Sequence, residues 1–384
     1  MATEFPPAQG YGLARYASEH CQALVAAGAQ VDVICNNYDP QHPRYCEEGV
    51  EISNVPFHLP FQGYNSIADI LQGNVTLLAR AAELLQRQSG IDVIQTHDWL
   101  SASAAVALKE SFGVPLVVTM HDTELGRAMG KLTPEQQYVA EMEQWLCEKA
   151  DAVAANSNFI KTELTAAYGV RADRITVAGC GVNPERFHVD VDAADFRSLF
   201  CAPGVPLILF VGRLTAIKGP GILLEALREV VKVLPDAQLV LAGDGALKDQ
   251  LRQHAQEVGL DDHTRFVGHV RGRALAALYR CANVLVVPSL YEPLGMVALE
   301  AMICDTPVVA ADTGGLAELV QDGQTGFTVP PNDPNALAGA ILRMLTSAAE
   351  ASECIAQARQ LAMEGHRWMD VARRSLELYK TVLA

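Results

Sequence analysis

Short buried-strand signals at regular intervals constrain this chain more than any other feature. Leu207–Val211, Gln238–Ala242, Arg265–Val267, Val284–Val287 and Pro307–Ala311 read as strands of three to five residues. Amphipathic stretches separate them: Ile222–Val233, Ala246–Glu257, Arg273–Cys281 and Met296–Ile303. Strand and helix in strict alternation mean a parallel sheet covered by helices on both faces.

The first half carries the same alternation. A helix over Leu13–Ala27 stops at Gly28, and strands follow at Gln30–Cys35, Asp92–Thr96, Pro115–Met120 and Asp151–Ala155. Helical stretches fall at Asp69–Gln88, Ser101–Phe112 and Pro134–Lys149. Val182–Val205 lacks strong periodicity and holds Asn183-Pro184 and Pro203-Gly204, so it reads as an interdomain passage. At 384 residues the chain exceeds one hydrophobic core. The reading is therefore an α/β protein of two doubly wound domains, 1–190 and 191–365. A C-terminal segment, 366–384, carries a last helix with Trp368, Val371, Leu376 and Tyr379 roughly on one side. Ligand sites are expected at the carboxyl ends of both sheets, in a cleft between them.

A formal charge of −16 disfavours nucleic acid and anionic membrane as partners. The longest apolar runs are far shorter than a membrane span, and no secretory leader opens the chain. Nine scattered cysteines without a C-x-x-C pair do not make a disulfide framework, which points to a reducing cytoplasm.

The chemistry concentrates at predicted strand ends. Val284–Val287 runs into Pro288-Ser-Leu-Tyr-Glu292-Pro-Leu294-Gly295, and a short apolar helix from Met296 and Val297 then carries Glu300. Free N–H groups at such a helix start suit a phosphate, and Gly295 allows close backbone approach. On a continuous helix Glu292 and Glu300 would stand ~12 Å apart. That is too far for a hydrolytic carboxylate pair, which needs roughly 5–9.5 Å, and suits two separate hydroxyl acceptors along an extended ligand. Gly212 and Arg213 follow Leu207–Val211 directly, with Lys218 five residues on; the two cations can clamp a diphosphate. Ala242-Gly243-Asp-Gly245 and Ala311-Asp-Thr-Gly-Gly repeat the glycine-flanked strand end, where the glycines equally suit tight turns.

In the first half, Gln9-Gly-Tyr-Gly12-Leu13 precedes a helix, while His97-Asp98 and His121-Asp-Thr-Glu124 follow strands. Either histidine can face a ligand or take part in a local capping arrangement. No dinucleotide fingerprint, zinc motif or G-x-S-x-G elbow occurs, which counts against a dehydrogenase, a zinc enzyme and a serine hydrolase.

Taken in order, these motifs resemble the retaining glycosyltransferases of family 4, which have the GT-B fold. The resemblance runs through E-F-P-P…G-Y-G-L-A-R-Y, T-H-D-W, F-V-G-R-L…K-G, A-G-D-G, E-P-L-G-M-V-A-L-E-A-M and the last W-x-x-V-A helix. The segment T-H-D-W-L…T-M-H-D-T-E-L-G-R, ending at Arg127, looks most like the glycogen- and starch-synthase-related branch.

The resemblance implies an acceptor-binding first domain, a nucleotide-sugar-binding second domain and a last helix that crosses back. It implies that Arg213 and Lys218 bind the donor diphosphate and Glu300 the ribose. Glu292, with backbone N–H groups from Leu294 through Gly295 and Met296 to Val297, would hold sugar and phosphate. Gly12 would cover the phosphate and His121 would touch the sugar near its reacting carbon. Gly212 and Gly243 fall on the donor side, and His97, Asp98, Glu124 and Arg127 are acceptor-side candidates. The implied activity moves a hexose, glucose first, from an ADP-, UDP- or GDP-sugar to a soluble carbohydrate or sugar phosphate. It would act without metal or cofactor and by attack on the face the nucleotide leaves. A catalytically impaired sugar-nucleotide binder and an epimerase or phosphorylase of the same fold are the competing readings. Relatives of this look begin with an apolar strand before T-E-F-P-P, and only Met1-Ala2 stand there in this sequence. The first domain is therefore expected to lack its first strand and to be poorly stable.

Overall fold

The computed structural model describes residues 1, 5, 12–36, 42–55, 67–87, 90–188 and 193–384. It contains two compact units: Met1–Gly181 with Trp368–Ala384, and Val182–Arg367.

The first unit runs α1 (Gly12–Ala26), β1 (Asp32–Cys35), β2 (Arg44–Glu47), β3 (Val50–Asn54), α2 (Ile67–Arg87), β4 (Ile94–His97) and α3 (Ala102–Phe112). It continues with β5 (Leu116–Met120), α4 (Glu124–Arg127), α5 (Pro134–Lys149), β6 (Ala152–Ala155), α6 (Asn158–Tyr168) and β7 (Ile175–Val177). Strands β4, β5, β6 and β7 form a parallel sheet in that order. Its central strand β5 is buried at every position, as a strand covered on both faces must be. Leu77 of α2, Leu108 of α3, Leu146 of α5 and Ile160 and Leu164 of α6 complete that core.

A second sheet has the order β1-β3-β2. Here the all-parallel expectation fails, because β2 pairs antiparallel with β3. The connection is only Glu48-Gly49, both at positive φ (49° and 80°), and so short a link permits only a hairpin. The expectation of an absent first strand bears on the chain around residues 2–4, which lie outside those described.

The second unit begins with α7 (Pro184–Phe187) and α8 (Ala193–Ser198), inside the stretch read as a featureless passage. Asn183 caps α7 by accepting the Glu185 N–H, and Pro184 sits at the first helical position. Then come β8 (Leu207–Val211), α9 (Pro220–Val233), β9 (Gln238–Ala242), α10 (Lys248–Glu257), β10 (Thr264–Gly268), α11 (Gly272–Cys281) and β11 (Val284–Val287). The unit ends with α12 (Met296–Ile303), β12 (Val308–Ala311), α13 (Leu316–Leu319), β13 (Phe327–Val329), α14 (Pro334–Thr346) and α15 (Ala348–Gly365). The six strands lie in the order β10-β9-β8-β11-β12-β13, all parallel. This is the doubly wound order, and the direction of winding reverses between β8 and β11. In doubly wound sheets ligands commonly bind beside such a reversal.

The final helix, α16 (Trp368–Leu383), belongs to the first unit. Its buried face is Trp368, Val371, Ala372, Ser375 and Leu378, turned from the expected one so that Leu376 is only half-buried. Trp368 packs edge-on against Tyr16 of α1 at 5.0 Å, His20 meets Ser375 Oγ at 2.9 Å, and Arg374 Nε donates to the Ala178 carbonyl at 2.8 Å.

Candidate active site

In the second unit the loops after β8 and β11 interlock. The Leu290 N–H donates to the Ile217 carbonyl at 2.8 Å. Gly219, at φ 66°, lies so close to Pro288 that a Cβ would stand 2.0 Å from its carbonyl oxygen. This places Lys218 Nζ 2.8 Å from Glu292 Oε2, which also accepts Ser289 Oγ at 3.1 Å. The Glu292 backbone is fixed in turn, its carbonyl accepting the Gly315 N–H at 2.9 Å. Arg213 is exposed beside this pair in sequence, directly after β8.

Gly295 (φ 100°) precedes α12 and gives it no side-chain cap, so the first N–H groups, those of Met296 and Val297, have no partners within the helix. Leu294 is buried just ahead of it. Glu300 is buried within α12 and accepts the Tyr279 hydroxyl at 2.7 Å. Of the glycines, Gly212 tolerates its surroundings, with a Cβ 3.4 Å from the Phe210 ring. Gly243 has a packing reason for being glycine: a Cβ there would stand 1.8 Å from the Gly212 carbonyl oxygen.

In the first unit, β4 and β5 end side by side, His97 opposite Thr119. His97 Nδ1 and His121 Nε2 are 3.1 Å apart, with rings stacked at 5.3 Å, so one nitrogen donates and the other accepts. Tyr16 meets His121 edge-on at 4.4 Å. Burial lowers all three imidazoles around Tyr16: His121 to about 3, His20 to about 4, and His97 well below its ordinary value. They are neutral at pH 7. Asp98, at φ 49°, accepts the His121 N–H at 2.8 Å, and Asn156 Nδ2 donates to the His121 carbonyl at 2.7 Å. Burial and the neighbouring Asp122 push the Asp98 carboxyl well above the usual range.

Arg127 is fully engaged. It donates to Asp122, to Glu124 Oε2 (3.1 Å from Nε and 2.5 Å from Nη2) and to Glu143 Oε1 at 3.1 Å. Gly12 starts α1 and is exposed; the preceding residues 9–11 of its glycine loop lie outside those described. Tyr16, His20, Glu143, Tyr279 and Ser289 were not found by sequence reasoning. Ser289 alone had a usable signal, its place beside Pro288 at a strand end.

No helix among the described residues is long and apolar enough to cross a membrane. Residues 11–186 match the family description Glycosyltransferase Family 4, and residues 192–361 match Glycosyl transferases group 1. The chain is 31% identical to an uncharacterized glycosyltransferase of Methanocaldococcus jannaschii, covering 99% of this chain and 97% of that one. It is 33% identical to a glycogen synthase of Mycobacterium tuberculosis, covering 99% and 93%. Among solved structures, sucrose-phosphate synthase from Thermosynechococcus elongatus is similar with a TM-score of 0.84 and 29% identity, over 97% of this chain and 94% of that one. With two Rossmann-like units, family matches covering most of its length and relatives over 99% of it, the chain belongs to the family 4, group 1 glycosyltransferases of GT-B fold, and is a nucleotide-sugar-dependent transferase.

Proposed function

We propose that the protein transfers a hexose, glucose first, from a nucleoside diphosphate sugar to a soluble carbohydrate or sugar phosphate, with retention of anomeric configuration. The observation that carries this reading is the Lys218–Glu292–Ser289 cluster at the β8/β11 reversal, with the start of α12 next to it. Lys218, Arg213 and the N–H groups of Met296 and Val297 supply positive charge for a diphosphate leaving group. Glu292 and Glu300 accept hydroxyls of the sugar and the ribose. Because those groups already carry the charge, the reaction proceeds without added divalent metal or cofactor. The acceptor attacks the face the nucleotide leaves, and the departing phosphate takes the proton. In this reading Gly12, His97, Asp98, His121, Glu124 and Arg127 are the first unit's candidate groups, with His121 assigned to the sugar. The nine free cysteines fit a reducing cytoplasm.

Mixing the protein with UDP-, ADP- or GDP-glucose and a panel of sugars, with EDTA present, tests the donor, acceptor, retention and metal clauses. Nucleotide release together with an α-linked product is expected. Donor binding without release would leave only a sugar-nucleotide binder, and dependence on added metal would remove the metal-free clause.

A further inference from the structure

The turn that follows β5 carries His121, Asp122 and then α4, a single helical turn of four residues. So short a helix does not hold itself, and its position depends on what it is tied to. His121 is held by Asp98 and Asn156, Thr123 by Glu163 and the Glu124 side chain by Gln136. Both the backbone of Glu124 and the side chain of Arg127 are tied to Glu143, a side chain of α5 with no exposed surface. Its Oε2 accepts the Tyr168 hydroxyl at 2.5 Å and the Glu124 N–H at 2.8 Å. Its Oε1 accepts Arg127 Nη2 at 3.1 Å, and Arg127 carries the link on to Asp122, next to His121.

We propose that Glu143 is a positioning residue for sugar transfer: as a carboxylate it holds the His121–Arg127 turn in its working geometry, and taking up a proton loosens that turn. The role of His121 at the sugar, on which this rests, is the one given above.

The donors gathered around Glu143 make its proton matter. An ionised Glu143 accepts from all three at once. A proton on Oε1 would face the Arg127 N–H, and one on Oε2 would face the Tyr168 hydroxyl and the Glu124 N–H. On Oε1 the proton sets donor against donor; on Oε2 the Tyr168 hydroxyl must reverse to accept it, and the neutral acid then holds Arg127 and the Glu124 N–H less strongly than the carboxylate does. Burial, above all, raises the Glu143 carboxyl to about 7, against the lowering effects of Arg127, the Tyr168 hydroxyl and the Glu124 N–H, with Asp122 adding to the rise. The other groups around it are Glu124 on α4, the Cys147 thiol on its own helix, which burial raises to about 12, and the Asp98 carboxyl after β4. The proton therefore moves near neutral pH.

Two readouts test this separately. Hydrogen exchange over residues 121–128, corrected for intrinsic rate, is followed from about pH 6 to about pH 9 in the wild type, Glu143→Gln and Glu143→Asp. Initial rates are taken over the same range with UDP- or ADP-glucose and a soluble oligoglucan. In the wild type, protection and kcat both rise through about pH 7. In Glu143→Gln, protection is low throughout and kcat falls by about 10²-fold without that inflection, while affinity for UDP or ADP stays within about twofold. Glu143→Asp recovers part of both. Protection and an acid limb in Glu143→Gln equal to the wild type overturn the proposal, and the wild-type series alone decides it if that variant does not fold. A wild type that shows the exchange transition but transfers no sugar leaves the turn assignment standing and removes the functional reading.

Discussion

Lys218 and Glu292 come from loops 74 residues apart in the chain, and their side chains meet at 2.8 Å. The pair is partly open to solvent, with side-chain exposures of 20% and 11%. Under the proposed function, a diphosphate arriving there would find a lysine already aimed by a carboxylate. Lys218→Ala is expected to lower kcat/KM by about 10²–10³-fold, the usual effect of removing one preorganised charge from a leaving group. Glu292→Gln leaves the lysine unaimed and is expected to cost less. Steady-state rates of nucleotide release measure both, and a Lys218→Ala enzyme of wild-type efficiency would remove the lysine from the site.

Backbone proximity makes two glycines indispensable and leaves a third replaceable. Alanine at Gly219 or Gly243 drives a Cβ into a carbonyl oxygen, at 2.0 Å and 1.8 Å respectively. Each should destabilise the second unit by about 2–4 kcal/mol. Gly339 lies inside α14, and an alanine Cβ there would meet nothing within 4 Å, so Gly339→Ala should stabilise by about 0.4–1 kcal/mol. Urea unfolding of the three variants gives the comparison.

Acid stability should be set by the imidazoles around Tyr16. His20 is buried and its folded-state value is lowered to about 4, so the unfolded chain binds a proton that the native state refuses between about pH 6.5 and about 4. Stability is then fully present above about pH 6.5 and is lost as pH falls. His20 alone accounts for about 3 kcal/mol by pH 4, with His97 and His121 adding in the same direction. Melting temperature against pH checks this, and His20→Gln should flatten the slope. An unchanged slope would mean that another group governs it.

Arg127 is spoken for by three carboxylates, those of Asp122, Glu124 and Glu143. Engaged in this way, it is not available to an acceptor phosphate. Neutral sugars should outperform their phosphates as acceptors by about tenfold or more in kcat/KM, a difference of ~1.4 kcal/mol. A phosphorylated sugar used better than its neutral parent would reverse this order.

Much of the second unit was legible because β8, β9 and β11 are almost wholly buried and run into Gly212, Gly243 and Pro288, so that these strands and α12 coincide with their sequence readings. The β2–β3 hairpin was not: β2 is mostly exposed at an edge and offers no apolar run, and its one signal was Glu48-Gly49. Strands β7 and β13, three residues each, fall below what periodicity can register. Lys218 and Glu292 could be named because strand ends in a parallel sheet face ligand. Glu143 and Tyr279 could not, because each lies within a helix and takes its meaning from a partner that only folding brings near.

The placement of α16 also sets an order of events at the ribosome. The second unit is one uninterrupted length of chain, Val182–Arg367, and can close as soon as that length has emerged. The first unit, although most of it is made earlier, must wait for Trp368 and Ser375 before the surroundings of Tyr16 and His20 are complete. The half that is translated first is thus the half that finishes last, and until the final helix arrives Tyr16 lacks the Trp368 ring and His20 lacks its hydroxyl partner.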